Sequence, residues 1–334
     1  MKVPIIIAEV GVNHNGKLAI AKKLIAKAAL AGADYVKFQT YKTESLVSKK
    51  ASTAEYQSKT LKKKVNQYQM LKNYELSLES HKKLIRECKK NKIKFISSPF
   101  DIESIKLLIK LKLEIIKVPS GEINNIPYLK YLGKFNKKII LSTGMSTLKE
   151  IKEALKILII SGTNKKNISI LHCTSEYPTS YENANLSTIS FLKKNFNCLI
   201  GFSDHTIGNL ASITAVNLGA EIIEKHITLN NKMRGPDHIA SLNIKELPNF
   251  IKQLKSVNKL YGSKKKIRTL DEKKNSLHIR KSIFAKINIL KGEKLTEKNL
   301  ITLRPGKYIS ASKWKKILNK KAIFNFKVGD PIKV

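Results

Sequence analysis

Cysteine is scarce: Cys88, Cys173 and Cys198 are odd in number, far apart and form no C-x-x-C pair, which excludes a disulfide framework and a structural zinc site. Long apolar runs are missing as well. No stretch approaches the roughly 18 residues that cross a bilayer, and MKVPIIIAEVG meets Glu9 before any signal-like segment is complete, so a cytoplasmic chain with no membrane partner is expected. Arginine occurs only at 86, 234, 268, 280 and 304, although Lys and Arg together number 64 and the net charge is +39. Nucleic-acid readers use arginine for bidentate base contacts and interleave aromatics for stacking. Here the excess is lysine spread over predicted helices and turns, in a Lys-, Ile- and Asn-rich composition that resembles the codon bias of an AT-rich genome. No nucleic-acid partner is expected, but the field still favours small acidic substrates.

What the sequence does have is a repeat. Its 334 residues, 42% of them hydrophobic, suffice for one large domain and a small one. Eight β-branched and aliphatic runs recur at 5–11, 35–40, 95–100, 115–121, 139–145, 168–178, 199–206 and 222–228, separated by amphipathic helical patterns such as AIAKKLIAKAALAGA and TLKEIKEALKILIISG. Eight such units match an α/β fold of the (β/α)8 TIM-barrel type, whereas a doubly wound sheet more commonly uses five or six strands. The barrel is expected over 1–262, a linker over 263–280 (SKKKIRTLDEKKN), and a small β-rich domain over 281–334. A long insertion at 42–76, containing TAEYQSKTLKKK and NQYQML, reads as a lid, a binding loop or a partly disordered connection.

Each run carries its polar residues at its C-terminal end, and in a barrel those ends open onto one catalytic face. In EIIEKHITLNNKMRGPDH the ionisable residues follow a buried strand so closely that something must occupy them, since unpaired buried charge is costly. His205 and His226 end adjacent strands. Two imidazoles at one level, in polar company and without thiolate, point to a divalent metal such as Mn²⁺, Co²⁺ or Mg²⁺ acting as Lewis acid, with Asp204 and Asp237 as supporting or substrate-hydroxyl partners. Lys37 and Lys117 face the same mouth, either as Schiff-base nucleophiles or, with Ser98, Ser120 and Ser142, as an anion clamp. Glu9 and Glu122 are carboxylates for general acid–base work, or lysine partners. The pattern implies a metal-assisted barrel enzyme acting on an anionic, phosphorylated small molecule.

At these positions the chain resembles the sialic acid synthase family, which condenses phosphoenolpyruvate with an N-acetylated aldose. AEVGVNHNG, VKFQT, SSPFD, KVPSGE, STGM, LHCTSEYP, GFSDHT, EKHIT, GPDH and RPG follow one another in the family's order and spacing over nearly the whole length. The resemblance implies a phosphoenolpyruvate-binding barrel followed by an antifreeze-like (SAF) domain. It implies His205 and His226 as metal ligands, usually for Mn²⁺; Lys37, Ser98, Lys117, Ser120, Ser142 and Ser203 as phosphoenolpyruvate ligands; and Glu122 as an essential carboxylate. Gln39, Tyr177 and Asp237 would contact the sugar, Glu9 would position the attacking water, and Arg304 would reach the partner's sugar pocket in a domain-swapped homodimer. The chain departs from the family's pattern at Ser98, where threonine is usual, at Lys307 and Tyr308 after RPG, and at Arg234, where serine is common. YELSLESHKKL is closer to the diacetyllegionaminate synthases than to the neuraminate enzymes, so the acceptor is either N-acetylmannosamine or its 2,4-diacetamido-6-deoxy analogue. The rivals are a Schiff-base aldolase using Lys37 or Lys117, a metal-dependent sugar isomerase and a lysine-rich nucleic-acid-binding protein.

Overall fold

A computed structural model describes residues 3–51 and 66–334. Strands β1 (Ile5–Gly11), β2 (Tyr35–Thr40), β3 (Lys94–Pro99), β4 (Ile115–Val118), β5 (Lys138–Ser142), β6 (Ile168–Cys173), β7 (Leu199–Asp204) and β8 (Ile222–Thr228) pair in parallel, each with the next. β1 also pairs with β8, Ile5 beside Ile222 and Glu9 beside His226, so the sheet closes on itself as the expected (β/α)8 barrel. A two-residue strand, β9 (Leu242–Asn243), extends from β8.

The helices form for local reasons. Leu78–Lys90 begins where the Ser77 hydroxyl accepts from Ser80 N at 3.1 Å, and it buries His81, Leu84 and Cys88 on one stripe against the strands. Leu148–Ile160 opens with a capping box in which Thr147 and Glu150 satisfy each other's backbone amides. One continuous apolar layer between strands and helices follows from such stripes, with Leu24, Phe38, Leu84, Ile105 and Leu108 fully covered.

The strands stop earlier than several of the apolar runs suggest. β4 ends at Val118 because Pro119 has no N–H to give the ladder, and Ser120–Glu122 form a 3₁₀ turn. Ser120, Thr143, Tyr177 and His205 therefore sit on loops just above the barrel rather than in its strands. Among the described residues the insertion after β2 holds the short helices Thr43–Leu46 and Gln67–Lys72; TAEYQSKTLKKK lies outside the described residues.

The chain divides into two compact units at Tyr261/Gly262. In the second, the stretch expected as a linker holds a capped ten-residue helix, Leu270–Ile279. β10 (Ser282–Ala285) and β11 (Leu300–Leu303) pair antiparallel, over a small core that includes Ile283, Leu295, Leu300, Ile317 and Phe326. No helix among the described residues is long and apolar enough to cross a membrane.

Candidate active site

Along a barrel strand every second side chain faces the interior. The lower inward layer is apolar: Ile7, Ile96, Ile140, Leu171 and Ile222 pack together, with Ile5, Tyr35 and Ile115 against them. Gly201 takes this position in β7, where a Cβ would collide with Leu171 and with the backbone of Ile222. Two residues further along each strand the register brings Glu9, Lys37, Ser98, Lys117, Ser142, Cys173, Ser203 and Glu224 to the floor of a cleft of about 570 Å³. Gln39, Ser120, Tyr177, His205, His226 and Asp237 line its walls.

The charges on the floor interlock. Lys37 Nζ lies 3.0 Å from Glu9 Oε1, 3.6 Å from Glu224 Oε1 and donates to Ser98 Oγ at 3.2 Å. Lys117 Nζ donates to Ser142 Oγ at 2.5 Å and lies 3.9 Å from Glu224 Oε1, which also accepts from Ser203 Oγ at 2.9 Å. Burial works against ionisation of all four groups, and the neighbours decide each outcome. Lys117 and Lys37 outweigh burial at Glu224 and hold it below the usual carboxylate range. At Glu9 burial prevails over Lys37 and pushes the carboxyl up. Burial is likewise overcome by Glu224 and Glu9 at Lys37, which is raised, but not at Lys117, which is lowered. Because Glu9 is a weak counter-charge, the two lysines are incompletely neutralised and suit an incoming anion.

Above this floor the ring centroids of His205 and His226 lie 5.8 Å apart, and Tyr177 lies over His205 at 4.0 Å. His205 Nδ1 is 2.6 Å from the Thr174 carbonyl, which can only accept, so the proton is on Nδ1 and Nε2, 3.4 Å from Ser203 Oγ, carries the lone pair. Burial lowers His205 to about 4 and His226 well below its ordinary value, so both are neutral near pH 7. Among the described residues His226 Nδ1 is buried without a hydrogen-bond partner, 3.9 Å from Asp237 Oδ2. Gly11, at φ +52°, gives the His226 ring room: a Cβ there would stand 3.1 Å from its Cε1. Two neutral imidazoles, one orphaned nitrogen and nearby carboxylates fit a divalent cation with oxygen ligands. No group of three or more His, Cys, Asp or Glu placed to hold a metal ion occurs among the described residues, so any further ligands would be oxygens of substrate or water.

The loop that brings Asp237 to the cleft is held by the GVNHNG turn. Asn13 donates to the Ile227 carbonyl at 2.9 Å and to Ser241 Oγ at 2.8 Å, and Ser241 donates to the Asp237 carbonyl at 2.6 Å. Burial raises Asp237 to about 6.

The intervening residues of β7 and β8 face outward. Asp204, expected as a supporting carboxylate at the mouth, instead forms a buried pair with Lys225 at 2.8 Å and accepts from Ser212 at 2.5 Å and Thr206 at 2.8 Å. Strand alternation thus divides the ionisable run: Glu224 and His226 serve the cleft, and Lys225 fastens β8 to β7. In Lys225→Met the buried Asp204 loses its cation, and stability should fall by about 3–5 kcal/mol. Urea unfolding monitored by circular dichroism would measure this, and an unchanged midpoint would contradict it.

Of the remaining expected residues, Glu122 does not line this cleft and Arg304 is part of the second unit. Glu122 is buried in the turn after β4; its carboxylate accepts from Asn125 Nδ2 at 2.6 Å, and burial raises its pKa. Arg304 lies in the loop that follows β11. Conversely, the polar strand end of β8 gives Glu224 no role of its own in the sequence, yet its carboxylate joins both lysines and Ser203. The period-two alternation of IIEKHIT, which puts 224 and 226 on one side, is the signal that identifies it.

Residues 24–266 match the NeuB family. The chain is 49% identical over 333 residues to an N,N'-diacetyllegionaminic acid synthase of Campylobacter jejuni subsp. jejuni, covering 100% of both chains. It is 39% identical over 326 residues to the protein of that name from Legionella pneumophila, covering 97% of this chain and 92% of the other. The crystal structure of an N-acetylneuraminic acid (sialic acid) synthetase from Leptospira borgpetersenii, in complex with citrate, superposes with a TM-score of 0.70 at 31% identity over 82% of this chain and 90% of that one.

Proposed function

The chain belongs to the NeuB family, and from that premise we propose that it condenses phosphoenolpyruvate with 2,4-diacetamido-2,4,6-trideoxymannose and water, giving N,N'-diacetyllegionaminic acid and phosphate. The observation that carries the reaction is the ring of Lys37, Lys117, Ser98 and Ser142 directly beneath two neutral imidazoles. Full-length 49% identity to the Campylobacter enzyme supports the choice of sugar.

Lys37 and Lys117, with Ser98, Ser120, Ser142 and Ser203, hold the phosphate and carboxylate of phosphoenolpyruvate by charge-assisted hydrogen bonds. His205 and His226 would hold Mn²⁺, or Mg²⁺ or Co²⁺ in its place, which would supply electrophilic activation of the sugar aldehyde. C3 of phosphoenolpyruvate bonds to C1 of the open-chain aldose, water adds at C2, and phosphate leaves with cleavage of the C–O bond. Glu9, whose proton affinity burial raises, takes the proton of that water at Oε2. Gln39, Tyr177 and Asp237 orient the sugar. Glu122 is a positioning residue that steadies the turn carrying Ser120 through Asn125.

We also read the second unit as the antifreeze-like (SAF) module and the active form as a domain-swapped homodimer in which Arg304 serves the partner's sugar pocket. The RPG sequence at 304–306 supports this reading.

The test is phosphate release from phosphoenolpyruvate and Mn²⁺ with either aldose, with products identified by mass spectrometry. The diacetamido sugar is expected to react at least about 10-fold faster in kcat/KM than N-acetylmannosamine. The reverse preference would overturn the choice of sugar but leave the condensation standing.

A further inference from the structure

One wall of the cleft comes from the excursion after β2. Tyr41, Leu46, Val47, Met70, Leu71 and Tyr74 all face the same space as the lysines, with Gln67 the one amide among them. The two ends of the excursion are fastened to each other. Glu75 accepts from Lys42 Nζ at 2.9 Å, Thr43 N at 3.1 Å and Thr43 Oγ1 at 2.9 Å. Tyr41 donates its hydroxyl to the Leu71 carbonyl at 3.0 Å, and Lys72 reaches Glu44 at 2.7 Å. Such a clamp gives the wall a fixed shape.

The wall stands on the Asp237 side of the cleft. The GVNHNG turn that holds the Asp237 loop also meets the end of this wall: a Cβ on Gly16 would stand 2.5 Å from the Asn73 carbonyl, and the His14 and Tyr74 ring centroids lie 6.5 Å apart. A sugar whose aldehyde lies at the imidazoles and whose hydroxyls meet Asp237 therefore turns its far end toward this wall. Against the side chains of Leu46, Met70 and Leu71 a hydroxymethyl group gives up water without a replacement hydrogen bond, whereas a methyl group gains contact.

Resting on the synthase reading above, we propose that Leu46, Met70 and Leu71 form the subsite that receives the 6-methyl group of a 6-deoxy sugar and thereby selects against 6-hydroxylated acceptors. The probes are 2,4-diacetamido-2,4,6-trideoxymannose and its 6-hydroxy counterpart, tested on the full chain with phosphoenolpyruvate and Mn²⁺. The wild-type protein should prefer the 6-deoxy sugar by about 10- to 100-fold in kcat/KM. Met70→Gln and Leu46→Gln, made separately so that one folded variant suffices, should each reduce that preference to about threefold or less. The change should come through a higher KM for the 6-deoxy sugar, with KM for phosphoenolpyruvate unmoved; loss of structure alone would weaken both sugars equally. An unchanged preference in a folded variant, or a wild-type protein indifferent to the two sugars, would overturn the proposal. Absence of phosphate release with either sugar would overturn the synthase reading and this subsite with it.

Discussion

His226→Ala should lower metal-dependent turnover by roughly 10³-fold or more while leaving the fold intact, because activation of an aldehyde by a cation accounts for several kcal/mol of the barrier. The ring has no internal hydrogen bond at Nδ1 to lose, and its neighbours are Gly11, Tyr177 and Asp237 rather than a packed core. Circular dichroism should match the wild-type protein. EDTA should silence the wild-type enzyme and Mn²⁺ restore it, whereas the variant should stay silent at the same metal concentration. Wild-type turnover in the variant would remove His226 from the metal site.

Lys117→Met has the second largest expected effect. Methionine keeps most of the volume but removes a cation that donates to Ser142 at 2.5 Å and stands 3.9 Å from Glu224. The lost charge-assisted contacts, together with a Glu224 carboxylate left to Lys37 alone, should lower kcat/KM for phosphoenolpyruvate by about 10²-fold or more. KM for the sugar should move far less, since the sugar contacts proposed above are with Asp237 and Tyr177. An aldolase using this lysine would predict another outcome: borohydride would trap pyruvate on the wild-type protein and not on the variant. The anion-clamp account expects no trapped adduct on either.

Much of the barrel could be read from period: eight apolar runs with polar ends give eight strands and one active face, and the inward column from Ile7 to Glu9 or Ile115 to Lys117 follows from alternation. Alternation also decides what apolar content alone cannot. Glu224 and Lys225 are neighbours with opposite fates, one on the cleft floor and one paired to Asp204, because the strand's register turns them to opposite faces. Glu122 was less legible since it follows a proline and lies in a 3₁₀ turn, where the period-two rule no longer applies and the Asn125 amide sets its direction. The apolar wall was hidden for a different reason. Leu46 and Met70 share this wall because the ties of Glu75 to Thr43, Tyr41 to Leu71 and Lys72 to Glu44 join two segments separated by more than twenty residues, long-range contacts that no local pattern announces.

The central claim is a condensation in which phosphate leaves by C–O cleavage. Phosphoenolpyruvate carrying ¹⁸O at the bridging position, incubated with the full chain, Mn²⁺ and the diacetamido sugar, tests it most directly. The account predicts that the released phosphate retains the heavy oxygen and that a nonulosonic acid appears in equal amount. Unlabelled phosphate, or sugar consumption without phosphate release, would contradict it.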